Sequence, residues 1–261
     1  MKKIITCLMA MLGMATACGQ QKAGQANTPS ENNSRYETDT FLTKSGKTVT
    51  LHALMHASIR LDYEGMTFYI DPVTKLRDKV VDYSAMPKAD YILVTHEHAD
   101  HYDESALKLL KANDTHLVTN KRVADMYGAT KPLVFPMANG QCLMFDEIRI
   151  DAVPAYNTTD GHLQFHPKGR DNGYILTLDG LRIYFAGDTE DIPEMSLLKD
   201  IDIAFLPCNQ PYTMTPQQLV RAAKAIRPKV LFPYHYGQTD VTAIPTLLQS
   251  EPIDIRLRHY E

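Results

Sequence analysis

Three histidines and two acidic residues lie within six consecutive positions, in the segment His96-Glu97-His98-Ala99-Asp100-His101. Because His96 and His98 are two positions apart, an extended backbone would direct both imidazoles to the same side. Asp100 and His101 follow where the chain turns and could face a second ion. Imidazole nitrogens suit Zn, Fe or Ni, and a carboxylate supplies neutralising charge. The segment therefore predicts a transition-metal site and not a solvated polar loop, with Glu97 pointing away from the ions.

Four further residues lie where strands or loops could bring them to such a site. His235 follows a short apolar run and is a candidate ligand. Asp188 ends another strand-like run, where it could bind an ion or cap a helix. His162 and His166 share a loop that contains glycine and proline, and we expect one of them to be functional, although their spacing does not select it. Three other histidines are expected to be structural or surface residues: His52, His116 and His259.

Short strand-like runs dominate the chain after residue 47, and a few helical segments interrupt them. The strand Tyr91–Val94, before the histidine segment, is apolar throughout, which indicates burial on both faces. Thr215 and Pro216 open the clearest helix as N-cap and first-turn residue. Alternating strands and helices with several hairpins predict an α/β fold of mixed sheets covered by helices. The other predicted strands are Val49–Leu54, Ile59–Tyr63, Met66–Ile70, His116–Thr119, Ile148–Val153, Gly173–Leu178, Leu181–Phe185, Ile203–Leu206 and Val230–Phe232; the other predicted helices are Ser105–Lys111 and Lys121–Tyr127.

Taken together, these residues resemble the metallo-β-lactamase superfamily of metallohydrolases. The order of motifs is the same: a meander that ends in Ile70-Asp71-Pro72, the histidine segment, Gly187-Asp188 and the late His235. Shorter motifs, such as Met214-Thr215-Pro216, are similar to bacterial metal-dependent hydrolases related to ascorbate-6-phosphate lactonase. The resemblance implies a four-layer αββα sandwich with its site at one edge of two facing sheets.

The resemblance also implies how the ligands divide between two ions. The first ion would be held by His96 and His98, and the second by Asp100, His101 and His235. Asp188 would bridge the two ions, so Asp100 and Asp188 are the carboxylates expected to take part in catalysis.

One ligand position departs from the family pattern. Family members usually supply a third histidine to the first ion, and the aligned position here is Asn157. We expect His166 to fill that place, because Pro167 restricts its backbone toward extended geometry. His162 and Asn157 itself remain the alternatives.

Three further residues are expected near the ligands. Asp71 would orient a ligand imidazole through its other nitrogen, or would only end a strand. Lys168, with Arg170 beside it, would meet an anionic substrate, or would only be solvated. Asn157 would contact substrate if it does not bind an ion.

The implied function is a metal-dependent hydrolase. Two divalent transition-metal ions, zinc or else Mn, Fe or Ni, would hold a bridging hydroxide that attacks an ester, lactone or phosphodiester bond of a small molecule. With 27 basic and 31 acidic residues, the net charge of −4 gives no basic field that would favour nucleic acid. The alternative, from another functional class, is a non-catalytic metal- or ligand-binding lipoprotein on the same scaffold.

The N-terminal residues 1–17 have the layout of a secretory signal. Two lysines precede an apolar stretch that ends in Ala15-Thr16-Ala17, and Cys18 follows. This ending resembles a bacterial lipobox without its usual leucine, so secretion without lipid is the alternative. The polar residues 18–46 predict a flexible tether, and residues 47–261 the hydrolase domain. Cys142 and Cys208 are expected to be buried free thiols, with a disulfide between them as the alternative.

We therefore predict a lipid-anchored protein of the bacterial cell envelope whose mature chain begins at Cys18. Intact-mass measurement of the protein from the membrane fraction should give a chain that starts at this residue and carries acyl groups. An unmodified N-terminus at another position would indicate a periplasmic or secreted protein, and a mature chain starting at Met1 would contradict export.

Overall fold

The computed structural model describes residues 36–260. The predicted signal segment 1–17 and most of the predicted tether lie outside the described residues. In the described part the strands are, in chain order, β1 (Thr38–Leu42), β2 (Thr48–Met55), β3 (Ser58–Tyr63), β4 (Met66–Ile70), β5 (Lys75–Leu76), β6 (Lys79–Val80), β7 (Ala89–Val94), β8 (Lys111–Thr119), β9 (Val134–Pro136), β10 (Cys142–Phe145), β11 (Ile148–Ala155), β12 (Asp171–Leu178), β13 (Leu181–Phe185), β14 (Ile203–Pro207), β15 (Val230–Tyr234) and β16 (Asp254–Ile255). The α-helices are α1 (Glu104–Leu110), α2 (Lys121–Tyr127), α3 (Pro216–Ile226) and α4 (Ile244–Leu247).

Two mixed sheets of seven strands each form the centre of the molecule. Their strand orders are β1-β2-β3-β4-β7-β8-β9 and β10-β11-β12-β13-β14-β15-β16. In the first sheet β4, β7, β8 and β9 are parallel, and in the second β13 to β16 are parallel. In each sheet the carboxyl ends of the parallel strands meet at one edge. Residues that follow β7 of the first sheet can therefore converge with residues that follow β13 and β15 of the second.

Three apolar clusters hold four layers together. Side chains from both sheets, such as Phe68 and Phe205, form the central core. Leu219 of α3 packs on the outer face of the second sheet, and Leu107 of α1 packs on the outer face of the first. The predicted αββα sandwich is therefore confirmed. Within residues 36–260, no helix is long and apolar enough to cross a membrane.

The predicted boundary between tether and domain at residue 46 is wrong. Residues Thr38–Leu42 form the edge strand β1, paired antiparallel with β2. Buried Asp39 accepts hydrogen bonds from the guanidinium groups of Arg256 and Arg258, at 2.6–2.9 Å. Because these partners lie more than 210 residues further along the chain, local composition gave no sign of the strand.

The two cysteines in the described part, Cys142 and Cys208, are both free thiols. Cys208 is buried as expected, whereas Cys142 lies exposed on β10, so the prediction of its burial is wrong. Burial raises the pKa of the Cys208 thiol to about 12, so this thiol is not a nucleophile at neutral pH.

A glycine lets the chain turn closely after β13. Gly187 has a positive φ of +64°, and its backbone N–H donates to the Tyr234 hydroxyl at 3.0 Å. A Cβ at this position would lie 2.9 Å from the carbonyl oxygen of Asn172 and 3.1 Å from Cβ of Thr95. The turn that carries Asp188 is therefore packed against the backbone of Asn172 and the side chain of Thr95.

We predict that Gly187→Ala lowers both the stability of the fold and its capacity for metal. Gly65→Ala is the matched control, because Gly65 also has a positive φ (+80°) but a Cβ there meets nothing within 4 Å. The control should lower the free energy of unfolding by about 1–2 kcal/mol, and Gly187→Ala by more. Urea unfolding and metal analysis test this, and equal losses for the two variants would contradict it.

Candidate metal centre

One cluster of possible metal donors combines two histidines of the sequence segment with a loop histidine and a strand-end aspartate. The donor atoms of His96, His98, His166 and Asp188 all lie within 4.8 Å of one another. Nε2 of His96 is 3.1 Å from Nδ1 of His98, and Nε2 of His166 is 3.3 Å from Oδ2 of Asp188. His166 thus lies where the sequence analysis expected a third histidine for the first ion.

A second cluster lies on the other side of Asp188. It contains His56, Asp100, His101 and His235, again with donor atoms within 4.8 Å of one another. Oδ1 of Asp188 is 3.1 Å from Nε2 of His101 and 3.2 Å from Nε2 of His235. The two carboxylate oxygens of Asp188 therefore face different clusters, Oδ2 the first and Oδ1 the second.

Two buried carboxylates fix the orientation of ligand imidazoles from behind. Asp71 lies 2.8 Å from Nδ1 of His101, and Asp171 lies 3.1 Å from Nδ1 of His166. An ionised carboxylate only accepts, so each Nδ1 carries a proton and each Nε2 faces the site, where it could offer a lone pair to a metal ion. Asp71 therefore occupies the orienting position that the sequence analysis expected, and Asp171 occupies an equivalent position that it missed.

Asp71 also reaches the first cluster through Thr95. The Thr95 hydroxyl donates to Oδ2 of Asp71 at 2.8 Å, and it is 3.0 Å from Nδ1 of His96. The hydroxyl therefore accepts from the His96 ring, which directs Nε2 of His96 into the site. The backbone N–H of Thr95 donates to the other Asp71 oxygen at 2.7 Å.

The donor atoms that face the centre of the site fit a bound cation. Nε2 of His101, His166 and His235 and Oδ1 of Asp188 are buried, and none has a hydrogen-bond partner among residues 36–260. Buried polar atoms are rarely left without a partner in folded proteins. Imidazole nitrogens converging with carboxylate oxygens form the donor set that transition metals prefer.

Charges in the site are strongly coupled. Burial lowers the pKa of His96 well below its usual range, and it also lowers the pKa of His98, so both imidazoles are neutral donors. Burial alone would lower the pKa of His235, but the Asp188 and Asp100 carboxylates raise it to about 9. Burial alone would raise the pKa of Asp188, but His235 and His101 hold it well below its usual range. The carboxylates therefore require positive charge beside them, which protons or metal ions can supply.

Comparison with known proteins gives the family of this chain. A family model of the beta-lactamase superfamily domain matches residues 50–235. The chain belongs to the metallo-β-lactamase superfamily. A UPF0173 metal-dependent hydrolase of Geobacillus is 31% identical over 209 residues, which cover 75% of this chain and 88% of the relative.

Solved structures of the superfamily extend the comparison. A Parabacteroides distasonis protein solved as a candidate metal-dependent hydrolase is 47% identical, with a TM-score of 0.82 over 87% of this chain and 100% of that one. The metallo hydrolase Igni18 of Ignicoccus hospitalis is 23% identical, with a TM-score of 0.68 over 80% of this chain and 94% of its own, and it shares the fold. The chain is accordingly a metal-dependent hydrolase of this superfamily. The resemblance to the ascorbate-6-phosphate lactonase branch stays a prediction.

The three candidates for the third ligand of the first ion lie in the loop between β11 and β12, each in different surroundings. The His162 ring faces Glu190, with 3.4 Å between Nδ1 and Oε1, and its side chain is 24% exposed. The backbone N–H of Asn157 donates to the His166 carbonyl at 2.9 Å, and its side-chain amide donates to the Tyr212 carbonyl at 2.8 Å. Asn157 therefore supports the His166 loop, and His162 lies outside both clusters.

The expected substrate contact by Lys168 stays a prediction, and its ammonium group has partners within the protein. Its ammonium group donates to Glu194 at 2.8 Å and to the Tyr156 hydroxyl at 3.0 Å, and it also lies over the Tyr156 ring. Arg170 also has a partner within the protein, because its guanidinium group binds the Asp171 carboxylate through two hydrogen bonds of 2.7–2.8 Å. Arg170 therefore fixes the carboxylate that orients His166.

His56 is the member of the two clusters that the sequence analysis missed. It lies in the turn between β2 and β3 and is buried. The available signal was its position after a buried strand, the same signal that identified His235. A single histidine between two strands of a hairpin gave no spacing pattern that would have selected it.

We predict that His166→Ala lowers metal affinity by about 10-fold or more, whereas His162→Ala leaves it unchanged. Nε2 of His166 lies inside the first cluster, and the His162 ring is engaged with Glu190. Competition with a chromophoric chelator measures both variants under the same conditions. If His166→Ala binds metal as tightly as the parent protein, His166 is not a ligand.

Proposed function

We propose that this hydrolase works with a dinuclear centre and cleaves an ester, lactone or phosphodiester bond in a small molecule. The observation that carries the proposal is the position of Asp188, because each of its carboxylate oxygens lies within 3.3 Å of a histidine nitrogen in a different cluster. A single carboxylate shared in this way suits two neighbouring ions better than one.

The residues would divide as follows. The first ion would be bound by His96, His98, His166 and Asp188, and the second by Asp100, His101, His235 and Asp188. When bound, two divalent ions lower the pKa of a water shared between them and stabilise negative charge on the attacked carbonyl or phosphoryl group. Zinc is the ion we propose first, with Mn, Fe and Ni as alternatives.

The remaining side chains orient the candidate ligand imidazoles and keep bulk water out of the site. Asp71, Thr95 and Asp171 hold three imidazoles in the tautomer that presents Nε2 to the site. Most donors are fully buried, which keeps bulk water away from the centre. His98 and Asp100 are the partly exposed donors, so a substrate would approach from their side. The expectation of an anionic substrate rests on the sequence alone.

The alternative of a non-catalytic binding protein rested on an incomplete ligand set for the first ion. The position of His166 supports the catalytic proposal over this alternative, because four possible donors lie together in the first cluster. Attachment to the bacterial cell envelope through lipid at Cys18 stays part of the proposal and rests on the sequence alone.

We predict that Asp188→Ala lowers the affinity for both ions by about 10-fold or more and abolishes hydrolysis. Asp191→Ala is the matched control, because Asp191 lies three residues away and pairs at the surface with Arg221 at 2.7 Å. Elemental analysis after loading gives the stoichiometry, and a panel of lactones, phosphodiesters, esters and thioesters gives the activity.

Full loading with two ions in Asp188→Ala would contradict the shared carboxylate. A parent protein that binds two ions and hydrolyses no member of the panel would favour the non-catalytic alternative.

A further inference from the structure

His56 is held at the edge of the second cluster by its own backbone. It occupies a two-residue turn between Met55 and Ser58, with a positive φ of +55° that non-glycine residues seldom adopt. Its N–H donates to the Tyr260 carbonyl at 3.0 Å, and its carbonyl accepts from the backbone N–H of His235 at 3.3 Å. The turn is therefore hydrogen-bonded directly to the residue that follows β15 and supplies a candidate ligand.

The side chain of His56 contacts two candidate ligands of the second ion. Its Nε2 lies 3.3 Å from Oδ2 of Asp100. Its ring packs against the His235 ring, with 3.7 Å between centroids and 41° between planes. Since the Asp100 carboxylate accepts, Nε2 of His56 donates in this contact.

Asp100 is the candidate ligand that most needs such a contact. Its side chain is 32% exposed, whereas the Asp188 side chain is 3% exposed. Its shortest side-chain contact is the one with His56, followed by Nε2 of His235 at 3.6 Å and Nε2 of His101 at 4.0 Å. A carboxylate on a partly exposed turn loses rotamer freedom when it binds metal, and a fixed hydrogen bond reduces that loss.

We propose that His56 is a positioning residue for the second metal site, which donates to Asp100 and supports the His235 ring without binding the ion. This proposal rests on the dinuclear centre proposed above. The contact with Asp100 decides between positioning and direct binding. An Nε2 that donates its proton to the Asp100 carboxylate has no lone pair left for an ion.

Two variants separate the hydrogen bond from the ring. His56→Gln keeps an amide donor at about the reach of Nε2, whereas His56→Asn is too short to reach Asp100 but tolerates the positive φ of the turn. His52→Asn is the matched control, because His52 is also buried and pairs with a carboxylate, Asp62, at 2.8 Å outside both clusters. Thermal melting first shows which variants fold.

The measurement is stepwise Co²⁺ binding in competition with a chelator, together with the visible absorption of the loaded protein. His56→Asn should lower the affinity for the second ion by about 10-fold or more and leave the affinity for the first unchanged. His56→Gln should recover most of that loss with an unchanged Co²⁺ spectrum, because the donor atoms bound to the ion are the same. His52→Asn should bind both ions as the parent does.

Three results would overturn the assignment. Parent-like binding of both ions by His56→Asn would show that the contact with Asp100 does not matter. A changed Co²⁺ spectrum in His56→Gln would make His56 a ligand and not a positioning residue. A parent protein that binds only one ion would remove the dinuclear centre itself, and this result is seen before any variant is compared.

Discussion

The buried carboxylate of Asp188 is the constraint around which the site is built. A charge removed from water is costly unless opposite charge or hydrogen bonds replace the lost hydration. Here four imidazoles lie within 3.9 Å of its two oxygens, divided between two sides: His96, His101, His166 and His235. The tight turn at Gly187, which follows a parallel strand of the second sheet, places this short, charged side chain between the sheets.

Orientation of the imidazoles depends on both sheets. Asp71 follows β4 of the first sheet and directs His101, while Asp171 begins β12 of the second sheet and directs His166. The sheets are joined at the same edge, because the Tyr174 hydroxyl donates to the Val94 carbonyl at 3.0 Å across the interface. A shift of one sheet against the other would therefore separate donors within each cluster, which couples the packing of the core to the geometry of the candidate metal ligands.

Local patterns predicted those parts of the molecule that local chemistry determines. The helix at residues 216–226 has the expected Thr215 cap, completed by a reciprocal contact with Gln218. The short spacing of His96, His98, Asp100 and His101 identified the segment that contributes to both clusters. By contrast, the partners of Lys168 are Glu194 and Tyr156, and strand β1 is held by distant arginines. The residues next to Lys168 and β1 in the sequence therefore gave no sign of these contacts. His56 was missed for the same reason, since only the fold brings it to Asp100.

The two clusters meet solvent in the same way, and this bears on substrate choice. In each cluster three of the four donors are buried and one is partly exposed, His98 in the first and Asp100 in the second. These two residues lie two positions apart in one turn, so the open side of both clusters is a single narrow region. The buried donors are surrounded by strand ends that cannot change without disturbing the core. The loops that border His98 and Asp100 are therefore the part of this scaffold in which residues can vary without disturbing the candidate metal ligands.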